Sequence, residues 1–260
     1  MSRAVLQVTG VSKSFGGLKA VQDFSLTLEP GSLCGLIGPN GAGKTTAFNL
    51  LTGVYRPDTG RVVLDGHDVV GLRPHRITRL GLARTFQNIR LFGELSVLDN
   101  VKLACHLRVG QTVLGAIART LFHTAEERDI TRRSMDLLSI FGLDSRAKEQ
   151  AKSLAYGDRR RLEIARALAT EPKVLLLDEP AAGMNPQEKK ELRGLILTLR
   201  ERFSASILLI EHDMGVVMTI CERITVLDHG VIISHGTPTH VQNDPKVIEA
   251  YLGSAEAAHA

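Results

Sequence analysis

The chain has 260 residues, of which 43% are hydrophobic, and its formal net charge is +4. This length is enough for one large domain, or for one domain with an insertion, around a full hydrophobic core. The longest apolar runs, at residues 174–177 and 207–210, have the length of strands, so the sequence contains no bilayer-crossing segment of ~20 apolar residues. Trp is absent and the aromatic content is 4%, which excludes an array of aromatic residues on which single-stranded nucleic acid could stack.

Strands dominate the first third of the chain. Short apolar segments predict strands over residues 5–8, 21–28, 33–37 and 61–64, and the last of these follows a Pro-Asp-Thr-Gly turn. The strand over 33–37 is apolar throughout, which is typical of a strand buried on both faces of a sheet. We therefore expect a buried strand to lead directly into the segment that follows it.

A glycine-rich loop follows that buried strand and precedes a helix predicted over residues 46–51. Such a loop lets backbone N–H groups and the positive end of the helix converge on phosphate oxygens. Lys44 can reach the β- and γ-phosphates, and the Thr45 hydroxyl can bind a magnesium ion. The loop therefore predicts nucleotide binding. Its sequence, which fits the pattern G-x-x-x-x-G-K-[S/T], is Gly38-Pro39-Asn40-Gly41-Ala42-Gly43-Lys44-Thr45-Thr46.

The middle of the chain, from about Ser96 to Lys152, has apolar residues at helical spacing, which predicts an all-helical block inside an α/β chain. A further helix is expected to start near Ala155, Tyr156 and Gly157, and its N-terminus can bind an anion, although many ordinary helices begin in this way. The periodic residues of the block are Val97, Val101, Ala104, Leu107, Val113, Leu114, Ile117, Leu121, Met135, Leu138 and Phe141.

Strands and helices alternate in the last third. Apolar strands over 174–177 and 207–210 flank a helix that Asn185-Pro186 caps, and two short strands flank a turn at 228–230. This alternation predicts a parallel sheet covered on both faces, hence an α/β fold. Residues 254–260 are expected to form a frayed tail. The inward stripe expected for the capped helix is Leu192, Leu195, Ile196, Leu199 and Phe203.

Four polar residues are candidates for the chemistry: three lie at predicted strand ends, and the fourth, Gln87, lies in a loop. In a phosphate-loop protein, Asp178 is expected to orient magnesium, and Glu179 to polarise a water aimed at the γ-phosphate. Gln87 can hydrogen-bond a metal-bound water. The sequence leaves two roles open for His212. It is either a structural histidine at a strand end, with its hydrogen bonds made inside the protein, or a hydrogen-bond donor to the γ-phosphate. The acid pair next to a phosphate loop predicts hydrolysis as well as binding.

In the order of these motifs the chain resembles the ATP-binding-cassette ATPases, from about Leu6 to Leu252. The resemblance implies a P-loop NTPase core of the RecA-like type with a parallel sheet, an N-terminal antiparallel β subdomain and an inserted α-helical subdomain at about 96–156, all within one domain over 1–253. The matching segments are the phosphate loop, the glutamine loop at Gln87, a signature-like stretch at 154–158, Asp178 with Glu179, a loop at 181–185, and His212.

The resemblance also implies roles for single residues, with ATP and Mg²⁺ as the bound groups. Glu179, His212 and Gln87 would be catalytic. Thr45, Gln87 and Asp178 would bind the metal. Phe15 corresponds to the aromatic residue that stacks on adenine in this family. Ala155, Tyr156 and Gly157 would contact the ATP held by a second cassette, so that each ATP lies between two subunits.

Four segments, at 81–92, 178–186, 211–214 and 250–253, look most like those of the ATP-binding subunits of branched-chain amino-acid importers. The resemblance implies a second ATPase subunit, identical or paralogous, two membrane permeases and, indirectly, a periplasmic solute-binding protein, with no nucleic-acid partner. The chain would then lie on the cytoplasmic face of the bacterial inner membrane. Two alternatives stay open: a lipid or lipopolysaccharide exporter, and a soluble cassette ATPase of DNA repair or translation.

The chain departs from the wider family at two motifs. Ala155 and Asp158 stand where the family signature has serine and glutamine, and Asn185 stands where the usual residue is aspartate. We expect Asp158, an acid near an anion site, to weaken the contact with the second ATP.

The three cysteines show neither disulfide-framework nor zinc-ligand spacing. They are expected to be small, buried apolar residues. The N-terminus lacks a secretory pattern, so the protein is expected to stay in the compartment where it is made.

Overall fold

A computed structural model of the chain describes residues 4–106 and 119–257. The chain divides into two compact units, one formed by Met1–Gln87 with Lys173–Ala260 and the other by Asn88–Pro172. The second unit is larger than the helical insertion expected at about 96–156. The difference arises because the helix that starts near 156 packs against the helix that starts near 97, and so belongs with the insertion.

An antiparallel sheet forms one layer of the first unit. Its strands lie in the order β2-β1-β4-β5, and all of the pairings are antiparallel. In β2 the apolar residues Phe24, Leu26 and Leu28 are buried and alternate with exposed polar residues, as expected for a strand with one face on the core. The strands are β1 (Leu6–Phe15), β2 (Leu18–Leu28), β4 (Thr59–Leu64) and β5 (His67–Asp68).

A second sheet of the same unit has six strands in the order β10-β9-β3-β8-β7-β6. All neighbours are parallel except β9 and β10, which form an antiparallel hairpin. Every residue of β3, β7 and β8 is buried, and the carboxyl ends of these parallel strands meet at one edge. The strands are β3 (Leu33–Ile37), β6 (Leu82–Arg84), β7 (Val174–Asp178), β8 (Ser206–Ile210), β9 (Arg223–Asp228) and β10 (Val231–Gly236).

The first unit also contains six helices within the described residues. The longest of them, α6, begins with a capping box in which Asn185 Oδ1 accepts from the Glu188 N–H at 3.0 Å and Glu188 Oε2 accepts from the Asn185 N–H at 2.8 Å. In the described part of the chain, no helix is long and apolar enough to cross a membrane. The helices of this unit are α1 (Lys44–Leu51), α2 (Pro74–Leu80), α6 (Pro186–Phe203), α7 (Met214–Ile220), α8 (Pro238–Gln242) and α9 (Pro245–Ala257).

Two details of these helices differ from expectation. Within the predicted stripe of α6, Leu192, Ile196 and Leu199 are buried, whereas Leu195 and Phe203 are only partly covered. The tail expected from residue 254 is helical as far as the described chain extends, because α9 continues to Ala257 through a Ser-Ala-Glu-Ala sequence that favours helix. Residues 258–260 lie outside the described residues.

The second unit is helical. Its helices are α3 (Val97–Cys105), α4 (Arg119–Ile140) and α5 (Tyr156–Leu168), and short 3₁₀ turns lie at Asp144–Arg146 and Ala151–Ser153. Ser96 caps α3 by accepting from the Asp99 N–H at 3.0 Å. Of the predicted periodic residues, Val97, Val101, Ala104, Leu138 and Phe141 are buried, whereas Leu107, Val113, Leu114 and Ile117 lie outside the described residues.

Candidate functional site

The loop between β3 and α1 requires glycine at two positions. Gly43, which precedes α1, has φ 103°, and a Cβ there would lie 2.5 Å from the Ala20 carbonyl oxygen. A Cβ on Gly38 would lie 2.0 Å from the Leu227 carbonyl oxygen. Both distances are far below van der Waals contact, so any larger residue would displace the loop. The bend predicted from the glycine pattern is therefore present, at the carboxyl end of a buried strand.

Lys44 is enclosed by this loop. Its side chain is buried, and Nζ donates to the carbonyl oxygens of Gly38 at 2.7 Å and Pro39 at 2.8 Å. Burial lowers the pKa of Lys44, and the nearby carboxylates of Glu179 and Asp178 oppose this by raising it. The ammonium group therefore lies beside the loop as a fixed positive charge in a partly desolvated place, which strengthens its attraction for an anion.

A cleft of about 450 Å³ opens beside the loop, a volume within the range of small-ligand pockets. The predicted residues Lys44, Thr45 and Thr46 line it together with Gln87 and Glu179. Four lining residues, Leu18, Lys19, Ala20 and His229, were not predicted from the sequence, because they lie on β2 and in the β9–β10 turn, which only the folded chain brings to the loop. The remaining lining residues are Phe15, Asn40, Gly41, Ala42 and Gly43.

Phe15 lines the cleft, and the residue is 42% exposed. The Tyr55 ring packs against it edge-on, with centroids 5.1 Å apart and an interplanar angle of 70°, and Lys13 Nζ lies 5.5 Å from the Phe15 centroid. These contacts hold the ring in place beside the cleft. An anchored, half-exposed aromatic ring provides a stacking surface for a planar heterocycle.

Glu179 follows β7 in a strained conformation. Its φ is 47°, a left-handed value that costs a non-glycine residue roughly 1–2 kcal/mol. Gln87 Nε2 donates to Glu179 Oε2 at 2.8 Å, and His212 Nδ1 lies 3.7 Å from the same oxygen. Two of the three side chains predicted to be catalytic therefore approach the same carboxylate oxygen of the third, Glu179.

Asp178 is buried one residue earlier and forms an ion pair that the sequence did not reveal. Arg84 Nη2 lies 2.7 Å from Asp178 Oδ2, and Arg84 Nη1 donates to Asn49 Oδ1 at 2.6 Å. The Asp178 N–H donates to Thr85 Oγ1 at 3.1 Å. No local pattern links Arg84 to Asp178, since 94 residues separate them. The pair holds the carboxylate at the end of β7.

The predicted metal-binding residues fit a magnesium ion in their chemistry. A hydroxyl, an amide oxygen and a carboxylate, from Thr45, Gln87 and Asp178, are hard oxygen ligands of the kind that Mg²⁺ prefers. Thr45 and Gln87 line the cleft. Asp178 is not among the residues that line the cleft, and its carboxylate is buried beside Arg84. With these three side chains as ligands, phosphate oxygens and water would fill the remaining coordination positions.

The start of α5, in the second unit, carries the other predicted contact residues. Ala155 is the N-cap without a side-chain hydrogen bond, and Tyr156 and Gly157 form the first turn. Asp158 does not stand alone, because Arg146 Nη1 lies 2.7 Å from its Oδ2, and the same arginine bonds Glu149. The acid that we expected to weaken an anion contact is therefore paired with a cation.

A buried ion pair lies farther along α5. Arg160 Nη1 is 3.1 Å from Glu163 Oε2, and both side chains are 2% exposed. Arg160 Nη2 donates to the Tyr156 hydroxyl at 3.3 Å, and Glu163 Oε1 accepts from the Arg90 N–H at 3.2 Å. The first turn of α5 is thereby tied to the segment that follows Gln87. The sequence shows only an Arg-rich stretch here, and nothing in it indicates burial of the charges.

The sequence of the chain is similar to those of ABC transporter ATP-binding proteins. The family model described as ABC transporter matches residues 21–182, and a model described as branched-chain amino acid ATP-binding cassette transporter matches residues 231–257. The high-affinity branched-chain amino acid transport ATP-binding protein LivG of Escherichia coli (strain K12) is 46% identical, over 98% of this chain and 100% of that protein. The lipopolysaccharide export system ATP-binding protein LptB of the same organism is 35% identical, over 96% and 98%.

A solved structure matches as well. The crystal structure of an ATP-binding cassette of an ABC transporter in its ADP conformation superposes with a TM-score of 0.83 at 30% identity. The match covers 97% of this chain and 100% of that one. The expected fold class, a cassette core with an antiparallel β subdomain and a helical subdomain, is confirmed by this likeness.

Proposed function

The chain belongs to the ABC transporter family, and we propose that it is the ATP-binding and ATP-hydrolysing subunit of an importer for branched-chain amino acids. The contacts of Gln87 and His212 with Glu179, which lines the cleft beside the phosphate loop, carry the hydrolysis part of this proposal. The similarity to branched-chain amino acid transport ATP-binding proteins supports the importer part. That arrangement contains a binding site for polyphosphate and a group that can activate water. Binding alone would need only the first of these.

In the proposed site the triphosphate lies along the glycine-rich loop. Lys44 contacts the β- and γ-phosphates, and the N–H groups of residues 40–45 donate to phosphate oxygens. Phe15, held by Tyr55, stacks on the adenine. Thr45, Gln87 and Asp178 would hold magnesium, which would neutralise charge on the phosphates.

Hydrolysis in this proposal depends on Glu179. Its carboxylate accepts a proton from the water that attacks the γ-phosphate, and Gln87 keeps the carboxylate oriented through its hydrogen bond. His212, which lies near the same oxygen, donates to the γ-phosphate. The strained backbone at Glu179 aims the carboxylate away from the end of β7 and towards the cleft that it lines.

We further propose that two ATPase subunits act together. Ala155, Tyr156 and Gly157 of one subunit, at the positive end of α5, contact the γ-phosphate held by the other. ATP then favours a closed pair, and hydrolysis removes the contact that favours closure. The second ATPase is a copy of this chain or a paralogue. The pair drives two membrane permeases from the cytoplasmic face of the inner membrane, and a periplasmic protein supplies the solute.

The exporter and the soluble ATPase are less well supported. The LivG protein is more similar to this chain than the LptB protein, at 46% against 35% identity. The match at residues 231–257 to the branched-chain amino acid cassette model also favours the importer.

The Glu179→Gln variant tests the catalytic assignment. It keeps the size of the side chain and removes the base, so we expect ATP binding to persist, phosphate release to fall by at least about a hundredfold and an ATP-dependent subunit pair to accumulate. Lys44→Ala is the companion variant and is expected to lose nucleotide binding. Normal hydrolysis by Glu179→Gln would refute the assignment of the base.

The transport assignment needs a separate test. We expect the tagged chain to co-purify with integral membrane permeases, and we expect ATP hydrolysis in that complex to rise when a leucine-loaded periplasmic binding protein is added. Co-purification with ribosomes or DNA would favour the soluble alternative. Stimulation by lipopolysaccharide in place of an amino acid would favour the exporter.

A further inference from the structure

Glu211 is a buried carboxylate that the proposed mechanism does not use. It follows β8, and its side chain is 0% exposed. Oε1 accepts from the Ala181 N–H at 2.7 Å, and Oε2 accepts from the N–H groups of His212 at 3.2 Å and Asp213 at 3.4 Å. One side chain thus joins two separate loops at the carboxyl edge of the sheet.

This bonding pattern suits a carboxylate and no other side chain of the same size. An ionised Glu offers acceptors on both oxygens, whereas Gln offers one oxygen and an NH₂ group, which would face a backbone N–H. Burying this charged side chain lowers the stability of the folded chain. Burial raises the pKa of Glu211, and the three N–H groups together with His212 oppose that rise. A raised carboxyl pKa means that the charge lowers stability at neutral pH, because the unfolded chain releases this proton more readily.

The two loops that Glu211 joins are those that carry Glu179 and His212. Ala181 is two residues after Glu179, and the Glu179 N–H also donates to the carbonyl oxygen of Ile210 at 2.9 Å. Glu179 is therefore tethered to the end of β8 through its own N–H and, two residues later, through Ala181. Because Glu179 has a left-handed backbone, neighbouring contacts of this kind are needed to hold it in that conformation.

From this geometry we propose that Glu211 is a positioning residue for ATP hydrolysis, which fixes the Glu179 loop and the His212 loop relative to each other. The inference rests on the proposed roles of Glu179 and His212. Glu211 does not touch the nucleotide in this account. It acts through the two loops, so that a change at either loop is transmitted to the other.

Glu211→Gln tests the proposal, because it keeps the side-chain volume and removes one acceptor. In the complex purified with its membrane subunits, we expect kcat to fall by about tenfold or more, since small misplacement of a catalytic group is costly. KM for ATP, and nucleotide binding by the chain, should stay within about twofold, because the phosphate loop is unchanged. The melting temperature should not fall. Glu211→Asp, which keeps the charge, should retain more of kcat than Glu211→Gln.

Glu222→Gln is the matched control. Its carboxylate pairs with Arg200 and is 47% exposed, far from the two loops, so kcat should equal that of the wild type. Wild-type kcat in Glu211→Gln, alongside strong losses in Glu179→Gln and His212→Ala, would overturn the inference. A parallel loss of nucleotide binding and melting temperature would also overturn it, by showing a merely structural role. Normal hydrolysis by Glu179→Gln would instead overturn the proposed function.

Discussion

Gln87 Nε2 donates a hydrogen bond of 2.8 Å to Glu179 Oε2, across 92 residues of sequence. We expect Gln87→Ala to lower kcat for ATP hydrolysis by about a hundredfold, because the carboxylate loses the contact that orients it. Nucleotide affinity should change little, since Lys44 remains. Phosphate release and binding of a fluorescent ATP analogue measure the two effects separately.

The control for this variant is Gln187→Ala. Gln187 also donates to a carboxylate, that of Glu191 at 3.1 Å, but on the exposed surface of α6. Its loss should leave both kcat and affinity unchanged. Equal activity of Gln87→Ala and Gln187→Ala would contradict an orienting role for Gln87.

Gly43→Ala should abolish nucleotide binding. The added Cβ meets the Ala20 carbonyl oxygen at 2.5 Å and the backbone has φ 103°, so the loop must shift. Gly194→Ala is the control, because Gly194 lies inside α6 with nothing within 4 Å of the added atom. That change should raise the free energy of unfolding by about 1 kcal/mol and leave binding intact. Calorimetric titration with ATP measures nucleotide binding by each variant, and urea unfolding measures the free energy of unfolding. Retained binding by Gly43→Ala would show that the loop tolerates a shift.

Arg84→Ala should destabilise the fold by about 3–5 kcal/mol, since it leaves the buried Asp178 carboxylate without its cation. Arg84→Lys should lower the free energy of unfolding by less, because it keeps the positive charge beside Asp178. Some loss should remain, since lysine cannot bond both Asp178 and Asn49 as the two Nη atoms of Arg84 do. Urea unfolding at neutral pH measures the difference. Arg61→Ala, which breaks an exposed pair with Asp68, should cost under about 1 kcal/mol. Similar losses for Arg84→Ala and Arg61→Ala would argue against a buried pair.

Arg146→Ala should raise the ATP concentration needed for half-maximal hydrolysis by about fivefold, because the Asp158 charge at the start of α5 is then unpaired. The double variant Arg146→Ala with Asp158→Gln should restore the wild-type value, since it removes the acid as well. The measurement is a titration of ATPase activity with ATP. If the double variant stays as weak as Arg146→Ala, the arginine acts by another route.

Stability should fall at alkaline pH through Cys221. Burial raises the pKa of this thiol above its ordinary value of 9.0. The native thiol keeps its proton where the unfolded thiol has lost it, so this contribution to stability is complete below about pH 9 and is lost as the pH rises further. Urea unfolding at pH 8 and pH 10.5 should show a smaller loss for Cys221→Ala than for the wild type. Equal losses in the free energy of unfolding would mean that burial does not keep the Cys221 thiol protonated at pH 10.5.

Much of the fold follows from local patterns. The all-apolar strands at 33–37, 174–177 and 207–210 lie within β3, β7 and β8, because full burial on both faces requires apolar residues at every position. The short elements were not predicted. β6 has three residues and α2 has seven, and segments of that length carry too few residues to show a period.

The sequence by itself determined the chemistry of the phosphate loop and the order of the motifs. Gly38, Gly43, Lys44 and Thr45 lie within eight residues of one another. The roles proposed for them follow from backbone conformation and residue type, which are local properties. The acid pair at the end of an apolar strand is local in the same sense.

Only the tertiary structure decided which side chains meet. The pairing of Arg84 with Asp178, of Gln87 with Glu179 and of Glu211 with the Ala181 N–H depends on the order and register of strands β6, β7 and β8. Strand order and register arise from packing between distant segments, and a shift of one residue turns each side chain to the opposite face. The sequence therefore identifies the phosphate loop and the candidate catalytic residues. It identifies neither the cleft residues on β2 and in the β9–β10 turn nor the contacts that orient the candidate catalytic residues.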